Sequence, residues 1–241
     1  KMKNFKTDFD IFLNRVKNKE NFTITRFGDG EMMIINGKSL NLLSKGVGEF
    51  AYDSNNDKYV NSRDLLKKSF TYQSDDYYVG VACKCCVGEE KYENMKITSG
   101  QKEENLTWAN IFVNSNFNLF NSKMIPALSN RRIYLVCHEA SNTTNLPFVV
   151  EKVYNVKTDA WLHDLDLITK LKNEIIESDL YDVIFLISAG PFANILVQQL
   201  NEHNNNNTYI DLGSVLDKHL GLPSTRGYLN GAPTLNKTCI W

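Results

Sequence analysis

The sequence has little that would direct the chain to a membrane or to nucleic acid. No apolar run approaches the roughly 18 residues that a membrane-spanning helix requires. The 241 residues carry a formal net charge of −1, with 27 Lys and Arg against 28 Asp and Glu. Because the basic residues are scattered along the chain rather than clustered, we do not expect a surface that binds a nucleic-acid backbone.

Cysteine is also scarce. Five cysteines, an odd number, do not indicate a disulfide framework in a chain of this length. Residues 1–4 lack the apolar core of a signal peptide. We therefore expect a reducing, cytoplasmic environment.

Three of the cysteines, Cys83, Cys85 and Cys86, lie close together in the sequence. A zinc site is one interpretation, with Cys137 or His138 as a distant fourth ligand. The spacing lacks the paired C-x-x-C form of known zinc sites. Reduced thiols without a metal are therefore the preferred interpretation.

The hydrophobic pattern indicates an α/β protein. Hydrophobic residues make up 42% of the chain and charged residues 23%, as in ordinary globular domains. Strands with near-continuous apolar runs alternate with helical patterns and are predicted over residues 22–27, 77–83, 133–137, 153–156, 181–188 and 208–212. Such strands favour a Rossmann-like, mostly parallel sheet with helices on both faces.

The remaining segments complete one predicted domain over residues 1–241. Helices are predicted over residues 4–18, 57–71, 103–120, 145–150, 161–176, 191–200 and 213–220, and another is expected to follow residue 31 and end near residue 36. Residues 39–56 and the polar stretch after Cys83 read as irregular. Residues 221–241 show no clear element and are expected to form a packed or lid-like tail.

The most informative motif is Thr25-Arg26-Phe27-Gly28-Asp29-Gly30-Glu31. A buried strand there delivers an arginine and two carboxylates to a turn loosened by two glycines. Two bare carboxylates about 4 Å apart repel by roughly 4 kcal/mol at an effective dielectric of 20, so a cation or a shared proton usually accompanies them. Hard oxygen ligands suit magnesium or manganese, and an arginine fork suits phosphate. Ordinary turn chemistry and a helix N-terminus are the alternative.

Other polar clusters also follow predicted strands. In parallel α/β sheets, ligands bind beyond the carboxyl ends of the strands. The clusters at those ends are Asp29/Glu31, Cys83–Cys86, His138/Glu139, Ser188–Pro191 and Asp211–Gly213. The segment Ser188-Ala189-Gly190-Pro191 precedes a helix, where free backbone N–H groups favour a phosphate. The sequence therefore predicts a phosphate and metal site at this edge of the sheet.

Residues 25–31 resemble the S-R-F/Y-G-D-G-E signature of the GT-D class of glycosyltransferases, formerly a domain of unknown function. Residues 188–193 are similar to the L-G-P-T-A loop of that family, and residues 209–213 to its terminal I-D-I-G segment. Ala160-Trp161 falls where the family tends to have Asn-Ala-aromatic. The resemblance runs from residue 22 to residue 217 in the same order. Thr25 replaces the serine of the signature, and Phe192 replaces a threonine whose hydroxyl could contact phosphate.

The resemblance implies a GT-D type fold and a set of site residues. Asp29 and Glu31 match the D-x-E pair that binds Mn²⁺ or Mg²⁺ bridging the diphosphate of a UDP-sugar. The donor-binding residues would be Arg26, Phe27, Gly28, Gly30, Ser188, Ala189, Gly190, Pro191 and Asp211. An inverting reaction also needs a base for the acceptor hydroxyl, and Glu139 or His138 are the first candidates, followed by His163 and Asp164.

The predicted function is a metal-dependent glycosyltransferase. It would move a hexose from a nucleotide sugar, a UDP-sugar in the first instance, to a glycan or glycoprotein acceptor. A non-catalytic module that binds nucleotide or glycan through a degenerate site is the main alternative. A metal-dependent phosphotransferase is a third, because metal and phosphate binding are common to both chemistries.

Overall fold

A parallel seven-stranded sheet forms the centre of the computed structural model, which describes residues 5–46, 49–223 and 226–230. The strands are β1 Thr23–Phe27, β2 Leu40–Asn41, β3 Ala51–Tyr52, β4 Tyr77–Val81, β5 Leu106–Trp108, β6 Arg132–His138, β7 Lys152–Val156, β8 Val183–Ile187 and β9 Thr208–Asp211. The sheet order is β5-β4-β1-β9-β8-β6-β7, and every neighbouring pair is parallel. Strands β2 and β3 form a separate antiparallel pair.

Helices surround this sheet. They are α1 Phe5–Asn18, α2 Asp29–Ile35, α3 Val60–Thr71, α4 Lys84–Val87, α5 Glu89–Ser99, α6 Phe117–Leu119, α7 Ile125–Leu128, α8 Ala160–His163, α9 Asp166–Glu177 and α10 Pro191–His203. None of the helices in the described ranges combines the length and apolarity needed to cross a bilayer.

Both faces of the sheet are covered, as two neighbouring residues of β4 show. The Tyr77 hydroxyl donates to the Ser69 carbonyl of α3 at 2.7 Å. The ring of Tyr78 contacts Phe12 of α1 in an edge-on arrangement, with 5.1 Å between centroids. Because successive strand residues point to opposite faces, α3 and α1 lie on opposite faces. The prediction of a Rossmann-like parallel sheet covered on both faces is confirmed.

The hydrophobic pattern predicted the central elements well. All five residues of β8 are completely buried, which explains the continuous apolar run in the sequence. Helix α10 follows directly and packs against β1 and β9, with α3 and α9 beside it. One hydrophobic cluster extends from Phe9 to Leu220.

The prediction of a helix over residues 103–120 is wrong. Residues 103–105 form a 3-10 turn, and Leu106–Trp108 then extends the sheet as β5. Leu106 pairs with Val79 of β4, so sheet pairing overrides the helical spacing of the apolar residues.

Four other local predictions are also wrong. The polar segment after Cys83 contains α4 and α5 instead of a loop, and residues 146–150 contain no helix, because the 3-10 turn Thr143–Asn145 ends before them. The helix predicted over residues 161–176 is interrupted between α8 and α9, and residues 214–221 form turns. The predicted tail over residues 221–241 lies mostly outside the described residues.

Candidate functional site

The carboxyl ends of the strands surround a cavity of about 420 Å³. The loops after β1, β4, β5, β8 and β9 and the last residue of β6 contribute to its walls, as expected for a parallel α/β sheet. Nine residues predicted from the sequence line this cavity: Arg26, Gly28, Asp29, Glu31, His138, Ser188, Ala189, Gly190 and Asp211. The structure therefore brings together the D-x-E motif and the Ser188–Gly190 loop, which are separated by more than 150 residues in sequence.

Glu31 is the carboxylate of this site whose pKa is most clearly displaced. It lies in the first turn of α2, is half-buried, and accepts a hydrogen bond of 2.9 Å from the backbone N–H of Gly28. The pKa of Glu31 is raised to about 7, chiefly by burial and also by the nearby Asp211 carboxylate. Hydrogen bonds from the backbone N–H groups of Glu31 and Gly28 and the charge of Arg26 oppose this rise. A cation in the cavity would stabilise the ionised form of this side chain.

Asp29 is the more exposed member of the pair. Its Oδ1 accepts a hydrogen bond of 3.1 Å from the N–H of Gly30. This local bond fixes the carboxylate at the start of α2, where the side chain lines the cavity together with Glu31. Carboxylate oxygens of this kind are suitable ligands for Mg²⁺ or Mn²⁺.

Arg26 is held by an ion pair with Asp211. Its Nη2 lies 3.3 Å from Oδ1 of Asp211, its Nε donates to the Asp211 carbonyl at 2.8 Å, and its Nη1 donates to the Ala109 carbonyl at 2.7 Å. The two side chains are 11% and 5% exposed. The guanidinium thus ties together the ends of β1 and β9 and the segment after β5, and it supplies a fixed positive charge at the cavity wall.

Gly213 makes room for this ion pair. Its φ is +55°, and a Cβ at this position would overlap Nη2 of Arg26. The backbone N–H of Gly213 also donates to Oδ1 of Asp211 at 3.0 Å. Glycine is therefore required here both by the backbone conformation and by the space that the arginine occupies.

Replacing Gly213 with alanine should destabilise the protein. The left-handed conformation alone costs about 1–3 kcal/mol for a residue with a side chain, and displacement of Arg26 adds to this. Gly37→Ala is the matched control, because Gly37 has a φ of +69° but no atom within 4 Å of the added Cβ. Urea unfolding should show the larger loss for Gly213→Ala. Equal losses would mean that the contact with Arg26 contributes nothing.

The loop between β8 and α10 presents backbone donors to the cavity. Gly190 has φ +54° and ψ −140° and directly precedes Pro191, the first residue of the 13-residue helix α10. No described residue accepts a hydrogen bond from the N–H of Ala189 or Gly190. Ser188 is already engaged, because its hydroxyl donates to the Gly213 carbonyl at 2.6 Å. The two backbone N–H groups, together with the helix N-terminus, are suited to an anion.

The two residues predicted as catalytic bases lie in different positions. His138 is 8% exposed and lines the cavity, but its Nδ1 accepts from the N–H of Ala140 at 3.0 Å and its Nε2 lies 3.0 Å from the hydroxyl of Thr158. Because Nδ1 accepts, the neutral ring carries its proton on Nε2. Glu139 is exposed and does not line the cavity.

Other predicted residues do not line the cavity. The ring of Phe27 packs on Phe70, with 4.6 Å between centroids, and Pro191 is buried at the start of α10. A Cβ on Gly30 would lie 3.1 Å from the ring of Phe50, so this glycine permits close packing. His163 and Asp164 do not line the cavity, and Oδ2 of Asp164 accepts from the N–H of Lys157 at 2.9 Å.

Several lining residues were not predicted from the sequence: Glu49, Asn110, Asn194, Asp217 and Tyr228. Asn194 had a recognisable signal, since it is a buried polar residue in the apolar helix α10. Its Nδ2 donates to the hydroxyl of Thr25 at 3.0 Å and to the carbonyl of Arg26 at 2.8 Å. This side chain fixes α10 against β1 at the wall of the cavity.

The parallel sheet, its covering helices and the cavity at the strand ends define an α/β domain of the Rossmann-like type. A family profile described as the GT-D fold-like domain matches residues 79–219. Since this is more than half of the chain, the protein belongs to the GT-D-like domain family. The matched segment contains the Ser188–Gly190 loop and Asp211 but begins after Asp29 and Glu31.

Two solved structures extend the similarity over nearly the whole chain. One is the conserved domain of unknown function 1792, reported to have a distinct glycosyltransferase fold; it shows a TM-score of 0.59 at 15% identity. The other is the selenomethionine-substituted form of that domain, with a TM-score of 0.60 at 15% identity. Each alignment covers 93% of this chain and 81% of the other. None of the curated proteins compared shows significant sequence similarity.

Proposed function

We propose that this protein is a metal-dependent glycosyltransferase. It moves a hexose from a UDP-sugar to a glycan or glycoprotein acceptor. The proposal rests on one observation: the Asp29/Glu31 pair and the Ser188–Gly190 loop line the same cavity. One feature supplies oxygen ligands for a divalent cation and the other supplies donors for a phosphate, which are the two requirements of a nucleoside diphosphate leaving group.

Asp29 and Glu31 would hold Mn²⁺ or Mg²⁺. Their fit to a cation is supported by the burial of Glu31, whose pKa of about 7 reflects a carboxylate that the cavity destabilises in the absence of a positive charge. Glu31 Oε2 accepts from the N–H of Gly28, and an ionised carboxylate has further lone pairs that can bind a metal. The bound ion would stabilise negative charge on the departing diphosphate.

The remaining residues of the site would orient the donor. The N–H groups of Ala189 and Gly190 can donate to a phosphate oxygen that enters the cavity, and the N-terminus of α10 favours the negative charge. Arg26 contributes positive potential while it remains paired with Asp211. Such donors stabilise a developing charge without reorganisation because the fold already fixes their positions.

A base for the acceptor hydroxyl is needed if the reaction inverts configuration. Both ring nitrogens of His138 are engaged. Among the described residues, two further carboxylates line the cavity, Glu49 and Asp217. Glu49 lies 3.6 Å from Nη2 of Arg226. We therefore add Asp217 and Glu49 to Glu139 and His138 as candidates for this role.

The test is turnover of a panel of UDP-sugars with Mn²⁺ and with a chelator. We expect release of UDP only with the metal, and a loss on the order of 100-fold for Asp29→Asn, because a preorganised electrostatic contact is removed. Asp166→Asn, which changes an exposed aspartate in the first turn of α9, is the matched control and should keep full activity. Equal turnover by Asp29→Asn, or with the chelator, would contradict the proposal.

The engaged nitrogens of His138 favour one alternative, a module that binds a nucleotide without turnover. In that case UDP would raise the melting temperature while no donor and acceptor pair gave a product. The assay also detects a phosphotransferase, because inorganic phosphate would then be released instead of UDP.

A further inference from the structure

The turn after β4 brings three thiols together at the edge of the cavity. The Sγ atoms of Cys83, Cys85 and Cys86 all lie within 4.8 Å of one another, and those of Cys83 and Cys85 are 3.1 Å apart. Cys83 is buried, while Cys85 and Cys86 are exposed. Cys83 and Cys86 also line the cavity. The proposed glycosyl transfer does not use any of these side chains.

The backbone holds the turn in this conformation. The N–H groups of Cys86 and Val87 both donate to the carbonyl of Cys83 at 3.0 Å. Residues three apart on a helical turn face the same side, so this bonding places the thiols of Cys83 and Cys86 together. The ammonium of Lys84, between them in sequence, lies 3.1 Å from a carboxylate oxygen of Glu89.

The spacing of the three sulfur atoms is close to the spacing that a thiophilic cation requires. Zinc binds thiolates at about 2.3 Å, which places two sulfur ligands of a tetrahedral site about 3.8 Å apart. Cys83 and Cys85 would have to separate by less than about 1 Å to reach this distance. Thiolate ligands favour zinc and similar soft ions over the hard ions that suit carboxylates.

We propose that Cys83, Cys85 and Cys86 bind a zinc-class cation at the wall of the cavity. Three sulfur–metal bonds form as three thiol protons pass to the buffer, and water or a ligand in the cavity takes the fourth position. Phe27 of β1 pairs with Val81 of β4. Asp29 lies two residues after Phe27, and Cys83 lies two residues after Val81. The site therefore borders the D-x-E motif but uses different ligands.

The test is titration of the reduced full-length chain with Zn²⁺ in competition with a chromophoric chelator. We expect one zinc per chain and proton release on binding. Cys85→Ser and Cys86→Ser change exposed residues, so both variants should fold. Each should lower zinc affinity on the order of 100-fold, because loss of a direct ligand should cost at least as much as loss of a residue that only orients a ligand. Cobalt substitution should give a thiolate-to-cobalt charge-transfer band that both variants lose.

The controls separate this site from the other thiols and from the carboxylate pair. Cys137→Ser changes a buried thiol of β6 that lies outside the cluster, and Cys239→Ser changes the remaining cysteine; both should keep the wild-type affinity. Asp29→Asn should also keep it, so the result is independent of the proposed glycosyl transfer. Wild-type affinity in Cys86→Ser, or loss of zinc binding in Asp29→Asn, would overturn the proposal.

Discussion

Replacing Asp211 with alanine should lower the free energy of unfolding by about 3–5 kcal/mol. The change leaves the guanidinium of Arg26 buried without its counter-ion, and breaking a buried pair by removing one partner costs this much. It also removes the acceptor for the N–H groups of Arg26 and Gly213. Urea unfolding followed by circular dichroism would measure the loss.

An exposed ion pair provides the control. Arg132 and Glu151 contact each other at 3.0 Å, with side chains that are 48% and 39% exposed. Glu151→Ala should cost less than about 1 kcal/mol, as is usual for surface pairs. The double variant Arg26→Leu/Asp211→Leu should recover part of the loss, since it leaves no unpaired charge in the wall of the cavity. A loss below about 1 kcal/mol in Asp211→Ala would show that Arg26 is solvated rather than paired.

The ion pair between Arg26 and Asp211 is a feature of the site that the sequence pattern could not predict. The apolar runs of β1 and β8 predicted strands, and the rule for parallel sheets predicted that their carboxyl ends form one site. The pattern could not show that the guanidinium of Arg26 donates to the carboxylate of Asp211, which lies 185 residues away in sequence. Side-chain pairing of this kind depends on sheet order, which places β9 beside β1, and no local pattern encodes that order.

The errors in secondary structure have a related cause. The segment of β5 is only three residues long, and it is a strand because it pairs with the edge of β4. Its own sequence carries apolar residues at a spacing that also fits a helix, so tertiary pairing decides the outcome. The interaction between Asn194 and Thr25 likewise crosses from α10 to β1. Contacts between distant segments therefore determine the parts of the site that the sequence leaves open.

Glu31→Gln should stabilise the metal-free protein at pH 8. Burial raises the pKa of Glu31 to about 7 in the folded protein, from an ordinary value of 4.5. Stability falls as the pH rises between these values, because the unfolded chain gives up the proton before the folded chain does. Above about pH 7 the full penalty applies, and the difference between the two pKa values corresponds to about 3 kcal/mol. Glutamine removes this penalty and can still accept the hydrogen bond from Gly28.

The gain should be absent at pH 4, where both states of the wild-type protein carry the proton. Thermal unfolding at the two pH values measures it, with Glu177→Gln as control. Glu177 is exposed at the end of α9, so its replacement should change stability by no more than about 0.5 kcal/mol at either pH. A destabilised Glu31→Gln protein at pH 8 would show that the carboxylate is well solvated or already paired.

Addition of Mn²⁺ should reverse the order of stability. A ligand that binds only the folded state adds about 4.1 kcal/mol at 1,000 times its dissociation constant, which exceeds the difference of about 3 kcal/mol between the two proteins at pH 8. The wild-type protein should gain this stability while Glu31→Gln should not. The metal must also displace the proton of Glu31, so manganese affinity should fall by about tenfold for each unit by which the pH drops below 7. Equal stabilisation of both proteins by Mn²⁺ would place the ion away from Glu31. Under the proposed function, the same side chain would therefore destabilise the metal-free protein above pH 7 and bind the cation, because its carboxylate is partly buried in the cavity wall.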